Sequence, residues 1–137
     1  MSTSAPEPSP NTGQLRATCH CGRVQLTLPS RPTELNECHC TVCYKYGAMW
    51  AYFDPETVDV NVSDGATLEG YIRSDEDSHG DISFNRCSHC GCAMSWRGAG
   101  KREGIKKMGV NCRMVPEEDV ADIPRRMGMG PRSREKK

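Results

Sequence analysis

The segment Cys38-His39-Cys40-Thr41-Val42-Cys43 lies between two further cysteine clusters, Cys19-His20-Cys21-Gly22 and Cys87-Ser88-His89-Cys90-Gly91. The three clusters contain seven of the nine cysteines of the chain. Thiolates separated by so few residues can bind a single tetrahedral ion, so seven of them predict one four-ligand site and one three-ligand site. A four-ligand site is closed and stabilises the fold, whereas a three-ligand site can keep one position open for chemistry.

The composition indicates that metal binding contributes much of the folding free energy. Only 36% of the 137 residues are hydrophobic and 6% are aromatic, which predicts a modest core. A structural zinc ion contributes on the order of 10 kcal/mol or more, so we expect the chain to fold poorly without metal. An odd number of cysteines leaves one thiol unpaired in any disulfide scheme, which favours metal ligation over a disulfide framework. The spacing does not say which clusters share an ion.

Charge and low-complexity segments divide the chain into three parts. Residues 1–13 are rich in serine and proline and predict a disordered leader, residues 14–123 form the zinc-binding domain, and the basic residues 124–137 predict a disordered tail.

The formal charge of +0 becomes about −3 when seven thiolates hold two divalent ions. We therefore do not expect nucleic-acid binding. The sequence shows neither a signal peptide nor a long apolar run, so we expect a cytoplasmic protein with no membrane partner.

Hydrophobic patterns predict a mainly β fold. Alternating apolar residues indicate strands at residues 24–28 and 58–62, residues 68–72 are a shorter strand candidate, and the apolar run at residues 47–53 indicates a buried strand. Shorter strands are expected at residues 82–84, 93–96 and 105–110, with one helical turn at residues 116–119. The first and third clusters each combine a cysteine pair, a glycine and a following strand, which predicts two similar metal-binding turns.

These clusters, together with Val110-Asn111-Cys112-Arg113, resemble the glutathione-dependent formaldehyde-activating enzyme family, which also includes centromere protein V. The resemblance spans roughly residues 15 to 120. It implies a single domain of coiled antiparallel β-sheets of the β-tent type, stapled by zinc and with little helix. It also implies a structural zinc held by Cys19, Cys21, Cys87 and Cys90, and a catalytic zinc held by Cys38, Cys40 and Cys43.

The family resemblance also implies an activity, which is the joining of glutathione to formaldehyde as S-hydroxymethylglutathione. In the reverse sense this is a carbon-sulfur lyase reaction. A zinc ion with three thiolate ligands activates water poorly and suits a soft thiolate in its open position. We therefore expect two Zn²⁺ per chain and an enzyme that forms or cleaves an adduct between a small, glutathione-like thiol and a small aldehyde or related electrophile. The alternative is a noncatalytic, zinc-stabilised module that binds protein or nucleic acid.

Polar residues near the clusters are further candidates. The carboxylates of a glutathione-like thiol could be bound by Lys45, Arg97 and Arg113, and a proton could be moved by Tyr44, Tyr46 or His39. The simpler interpretation is that the cations are solvated and that the tyrosines pack beside the metal turn. We expect the cluster histidines to be exposed turn residues rather than ligands, and these are His20, His39 and His89.

Two cysteines lie outside the clusters. Cys92 and Cys112 are expected to be small buried hydrophobic side chains. Alternatively, one of them completes the second zinc site, which would remove the open position that the catalytic hypothesis needs.

Overall fold

The computed structural model describes residues 14–73 and 81–128 as ten strands and two short helices, which confirms the mainly β fold class. The expected leader at residues 1–13 lies outside the described residues, as do residues 74–80. The elements are β1 (Arg16–Thr18), β2 (Val24–Thr27), β3 (Leu35–Cys38), α1 (Thr41–Tyr46), β4 (Met49–Phe53), β5 (Asp59–Val62), β6 (Leu68–Ile72), β7 (Ile82–Cys87), β8 (Ala93–Gly98), β9 (Met108–Asn111), α2 (Glu117–Val120) and β10 (Arg125–Gly128).

The described residues also contain three short 3-10 helices, at Pro55–Thr57, Gly100–Arg102 and Cys112–Met114. Neither α-helix within residues 14–73 and 81–128 is long and apolar enough to cross a membrane. The predicted helical turn after Pro116 is α2, whose first turn carries three acidic residues.

The strands form two sheets. One has three strands in the order β1-β2-β5, and the other has seven in the order β10-β3-β4-β9-β8-β7-β6. The pairs are antiparallel except for β10 with β3. Strands β6 to β9 are consecutive neighbours, as in a meander, and β4 then joins β9 to β3.

The main hydrophobic core is built from the inner faces of both sheets. Val24 and Leu26 of the small sheet and Met108 and Val110 of the large sheet are almost fully buried in one cluster. Their spacing of two residues is the strand period, so the residues between them point to the opposite face of each sheet.

The large sheet carries a second, smaller hydrophobic cluster on its other face. On β4, Met49 and Ala51 belong to the main core, whereas Trp50 and Tyr52 lie in this second cluster. A β-bulge at Asn85/Arg86 places Met94 in the main core while Trp96, two residues later on β8, belongs to the second cluster. The second cluster therefore lines the outer face of the sheet with aromatic side chains.

Close packing on this outer face requires a glycine. Gly109 of β9 pairs with Trp96 of β8, and a Cβ atom at position 109 would lie 2.2 Å from Trp96 Nε1. The indole ring therefore lies directly against the backbone of β9.

The expected disordered tail at residues 124–137 is wrong for residues 125–128. These residues form β10, which pairs with β3 from Arg125 opposite Leu35 to Gly128 opposite Cys38. Arg126 Nε also lies 3.1 Å from Glu34 Oε1. Strand pairing uses backbone groups, so charged side chains at a sheet edge do not prevent it. Residues 129–137 lie outside the described residues.

We predict that Gly109→Ala destabilises the protein by ~1–3 kcal/mol, because the added methyl group must displace the indole of Trp96. Chemical denaturation followed by tryptophan fluorescence measures the change. Gly70→Ala is the matched control, since a Cβ there meets the Ser83 Oγ atom, which can rotate away. Equal stability of the two variants would contradict the close packing of Trp96 on β9.

Candidate metal centres

The first and third cysteine clusters form two turns of similar geometry. Gly22 follows Cys21 with φ of 85°, and its N–H donates to Cys19 O at 3.0 Å. Gly91 follows Cys90 with φ of 83°, and its N–H donates to the carbonyl of Cys87 at 2.8 Å. Positive φ values favour glycine, which explains why both clusters end in this residue.

These two turns bring four thiols together, and we call them the four-thiol cluster. The Sγ atoms all lie within 4.8 Å of one another, and they belong to Cys19, Cys21, Cys87 and Cys90. The Sγ of Cys21 lies 3.6 Å from that of Cys19 and 3.7 Å from that of Cys87. Ligands at the usual zinc-sulfur distance in a tetrahedron are about 3.8 Å apart, so the donors and their spacing fit zinc.

The middle segment forms the three-thiol cluster, which consists of Cys38, Cys40 and Cys43. Their Sγ atoms also lie within 4.8 Å of one another. Cys38 ends β3, and Cys40 is the N-cap of α1, with its thiol accepting a hydrogen bond from Cys43 N at 3.4 Å. Gly47 ends the helix with φ of 66°. Cys40 therefore lies at the start of α1, and the first turn of the helix brings the thiol of Cys43 close to the thiol of Cys40.

A neighbouring indole orients the third thiol. Trp50 Nε1 donates a hydrogen bond to Cys43 Sγ at 3.3 Å, and both residues are buried. A hydrogen bond from a neighbouring side chain to a metal-binding sulfur atom is common in metal sites, because it fixes the position of the sulfur and moderates its negative charge.

The pKa values show that the thiols of each cluster compete for protons. In the three-thiol cluster, hydrogen bonds with Cys38 and Cys43 lower the pKa of Cys40, and hydrogen bonds with Cys38 and Cys40 raise the pKa of Cys43. At Cys90 burial acts to raise the pKa, but the backbone N–H groups of Cys92 and Cys21 outweigh it and lower the pKa to about 5. A divalent cation removes this competition by replacing the protons.

Neither remaining cysteine joins the three-thiol cluster in the described part of the chain. Cys112 is fully buried in the main core, and burial raises its pKa to about 12. Cys92 packs against the main core beside the four-thiol cluster. The cluster histidines belong to neither group of sulfur atoms, and the ring of His39 instead contacts Glu37 Oε2 at 3.2 Å. The protein provides three thiols at this site.

A cavity of about 280 Å³ adjoins the three-thiol cluster. Cys38 and Cys43 line it together with four aromatic side chains of the large sheet, which are Trp50, Tyr52, Phe84 and Trp96. Arg102 and Lys107 also line it, and Lys107 Nζ lies 4.6 Å from the centre of the Tyr52 ring. The cavity is therefore apolar around the sulfur atoms and carries two positive charges.

None of the polar candidates expected from the sequence lines this cavity. Lys45 and Arg97 are exposed, and Arg113 donates from Nε to Gly47 O at 2.9 Å and borders other cavities. Tyr44 is 62% exposed, and Tyr46 packs against Phe84. Tyr52, Arg102 and Lys107 do line the cavity. Lys107 follows Cys43, the last residue of the three-thiol cluster, by 64 positions, so local sequence gave no signal for these side chains.

The family profile described as glutathione-dependent formaldehyde-activating enzyme matches residues 14–122. The chain belongs to this family. The fold of this chain is similar to that of a Rhodobacter sphaeroides protein whose crystal structure gives a TM-score of 0.58. The two sequences are 21% identical, and the match covers 82% of this chain and 100% of the other. A comparison with curated proteins found no match.

We predict that the two clusters respond differently to loss of a thiol. Cys19→Ser or Cys87→Ser should lower the zinc content and unfold the protein, because these turns join the two sheets. Cys40→Ser should remove one zinc ion and leave most of the fold. Metal analysis and thermal unfolding measure both effects, with Cys92→Ser as the matched control. Equal collapse of all cluster variants would contradict the division between the two centres.

Proposed function

We propose that this member of the family is a zinc-dependent carbon-sulfur lyase-like enzyme that joins a glutathione-like thiol to formaldehyde or a related small electrophile, or cleaves the adduct. The observation that carries the proposal is the three-thiol cluster in the wall of a cavity with two cations. Membership of the family supports the choice of glutathione and formaldehyde.

The donor set decides what a metal at this site contributes. Zinc bound by Cys38, Cys40 and Cys43 would hold an incoming sulfur as its thiolate, which is the reactive form of a thiol. The four aromatic residues keep water away from that sulfur and so strengthen the electrostatic interactions around it. The cavity size, about 280 Å³, is near the lower end for small-molecule sites, so it suits the thiol end of a tripeptide and a small aldehyde.

Arg102 and Lys107 give the cavity its preference for an anionic thiol. Glutathione carries two carboxylates, and a guanidinium and an ammonium group can each pair with one of them. Both residues are exposed in the free protein and border the cavity, so they can reach the ligand without burying an unpaired charge. We assign them to binding and orientation of the thiol.

Tyr52 is the proposed hydrogen-bond donor to the aldehyde oxygen. Its side chain lines the cavity, and its hydroxyl accepts a hydrogen bond from Asn36 Nδ2 at 2.5 Å. Burial raises the pKa of Tyr52, so its hydroxyl keeps its proton at neutral pH. A fixed phenol can therefore donate to the oxygen on which negative charge develops as sulfur attacks the carbonyl carbon.

The noncatalytic alternative receives less support from the structure. Its main sequence argument is the basic segment at residues 124–137, and part of that segment is strand β10 of the large sheet. Arg126, one of its basic residues, already pairs with Glu34. We therefore favour the enzyme.

The direct test measures exchange between formaldehyde and S-hydroxymethylglutathione by NMR with the zinc-loaded protein. We expect the protein to accelerate exchange above the uncatalysed rate and Cys40→Ser to abolish the acceleration. Arg102→Gln and Lys107→Gln should each raise KM for glutathione about tenfold, the value expected for one charged hydrogen bond, without lowering the zinc content.

Two neighbouring basic residues provide matched controls for the pocket variants. Lys101 and Lys106 are exposed and precede Arg102 and Lys107 directly, but they do not line the cavity. Lys101→Gln and Lys106→Gln should leave KM unchanged. The proposal fails if the zinc-loaded protein does not accelerate exchange, or if Cys40→Ser is as active as the unmodified chain.

A further inference from the structure

A second cavity lies apart from the three-thiol cluster and has a volume of about 570 Å³. This volume falls within the range of small-molecule binding sites. It shares no lining residue with the cavity beside the three-thiol cluster. The lining residues are Arg16, Thr18, His20, Gln25, Cys92, Arg113, Met114, Val115 and Pro116.

One wall of this cavity is the outer face of the small sheet. Arg16 and Thr18 are two residues apart on β1, so their side chains point to the same face, and the buried Ala17 between them points into the core. Gln25 of β2 is the direct partner of Thr18 in the antiparallel register. These polar side chains thus form one continuous patch that the fold of the sheet holds in place.

Another part of the lining is mostly apolar and begins at the end of the 3-10 helix at Cys112–Met114. Met114, Val115 and Pro116 line it in succession. Val115 is buried, and its N–H donates to Cys112 O at 3.2 Å, which fixes the backbone of this wall.

Among the described residues, the side chains that bring full charge to the lining of this cavity are arginines. Two guanidinium groups line it, and no aspartate or glutamate does so among residues 14–73 and 81–128. Arg113 Nε donates to Gly47 O at 2.9 Å, which holds the side chain while leaving the two Nη groups for other partners. By contrast, Glu117 lines a smaller cavity that Arg113 also borders, where the charges are mixed.

We infer that this second cavity binds a small organic anion, with its carboxylate or similar oxyanion between Arg16 and Arg113 and its apolar part against Met114, Val115 and Pro116. Guanidinium groups match planar oxyanions through paired hydrogen bonds, and Thr18 and Gln25 add neutral donors. The apolar wall distinguishes an organic anion from an inorganic one, because it offers phosphate no partner.

The test titrates the isotopically labelled, zinc-loaded full chain with benzoate and follows backbone amides by NMR. We expect saturable shifts at Arg16, Thr18, Gln25 and Cys92, with smaller shifts at Trp96 and Lys107 of the other cavity. Benzyl alcohol, which lacks the charge, and phosphate, which lacks the apolar part, should each bind at least tenfold more weakly.

Substitutions assign the effect to the two arginines. Arg16→Gln and Arg113→Gln should each weaken benzoate binding about tenfold or more, and Arg113→Lys should give an intermediate loss with an unchanged spectrum elsewhere. Arg97→Gln is the control, because Arg97 is an exposed arginine that does not line the cavity. Absence of saturable shifts, equal binding of benzyl alcohol or phosphate, or binding that survives both glutamine variants would overturn the inference.

Discussion

Four sulfur atoms that are distant in sequence meet within 4.8 Å of one another, and the rest of the structure depends on that meeting. Two of them lie in the turn between β1 and β2 of the small sheet, and of the other two, Cys87 ends β7 and Cys90 lies in the turn between β7 and β8 of the large sheet. A divalent cation that replaces the thiol protons would hold the four sulfur atoms together. The chain has few hydrophobic residues. The four-thiol cluster connects its two sheets where a larger hydrophobic core would otherwise do so.

The second centre uses the same chemistry for a different purpose. The three thiols and the aromatic cavity lie on the outer face of the large sheet, apart from the main core. Three elements that meet at this face each contribute, since β3 supplies Cys38, α1 supplies Cys40 and Cys43, and β4 supplies the indole that bonds to Cys43. The parallel pairing of β10 with β3 extends the sheet next to Cys38. The site is therefore built on strands and a capped helix, which hold side chains more firmly than loops do.

Local signals made a large part of this structure predictable from the sequence. Cysteine spacing predicted the three clusters, and alternation predicted β2, because a strand with one buried face shows its period directly. The helix α1 was missed because its N-cap is a cysteine rather than serine or aspartate, and it has only six residues. Strand β10 was missed because its stability comes from backbone pairing with a distant strand. Tyr52, Arg102 and Lys107 meet at the cavity only through the register of β4, β9 and β8 and the loops beside them, which no local pattern encodes.

Unequal coordination of the two metal ions is the central claim, and X-ray absorption at the zinc edge tests it most directly. Seven cysteines in groups of four and three predict an average of 3.5 sulfur ligands per zinc in the protein alone. Addition of glutathione should raise the average to about 4, because the thiol takes the open position of the second ion. An average of four sulfur ligands before any thiol is added, or no change on adding glutathione, would contradict the account.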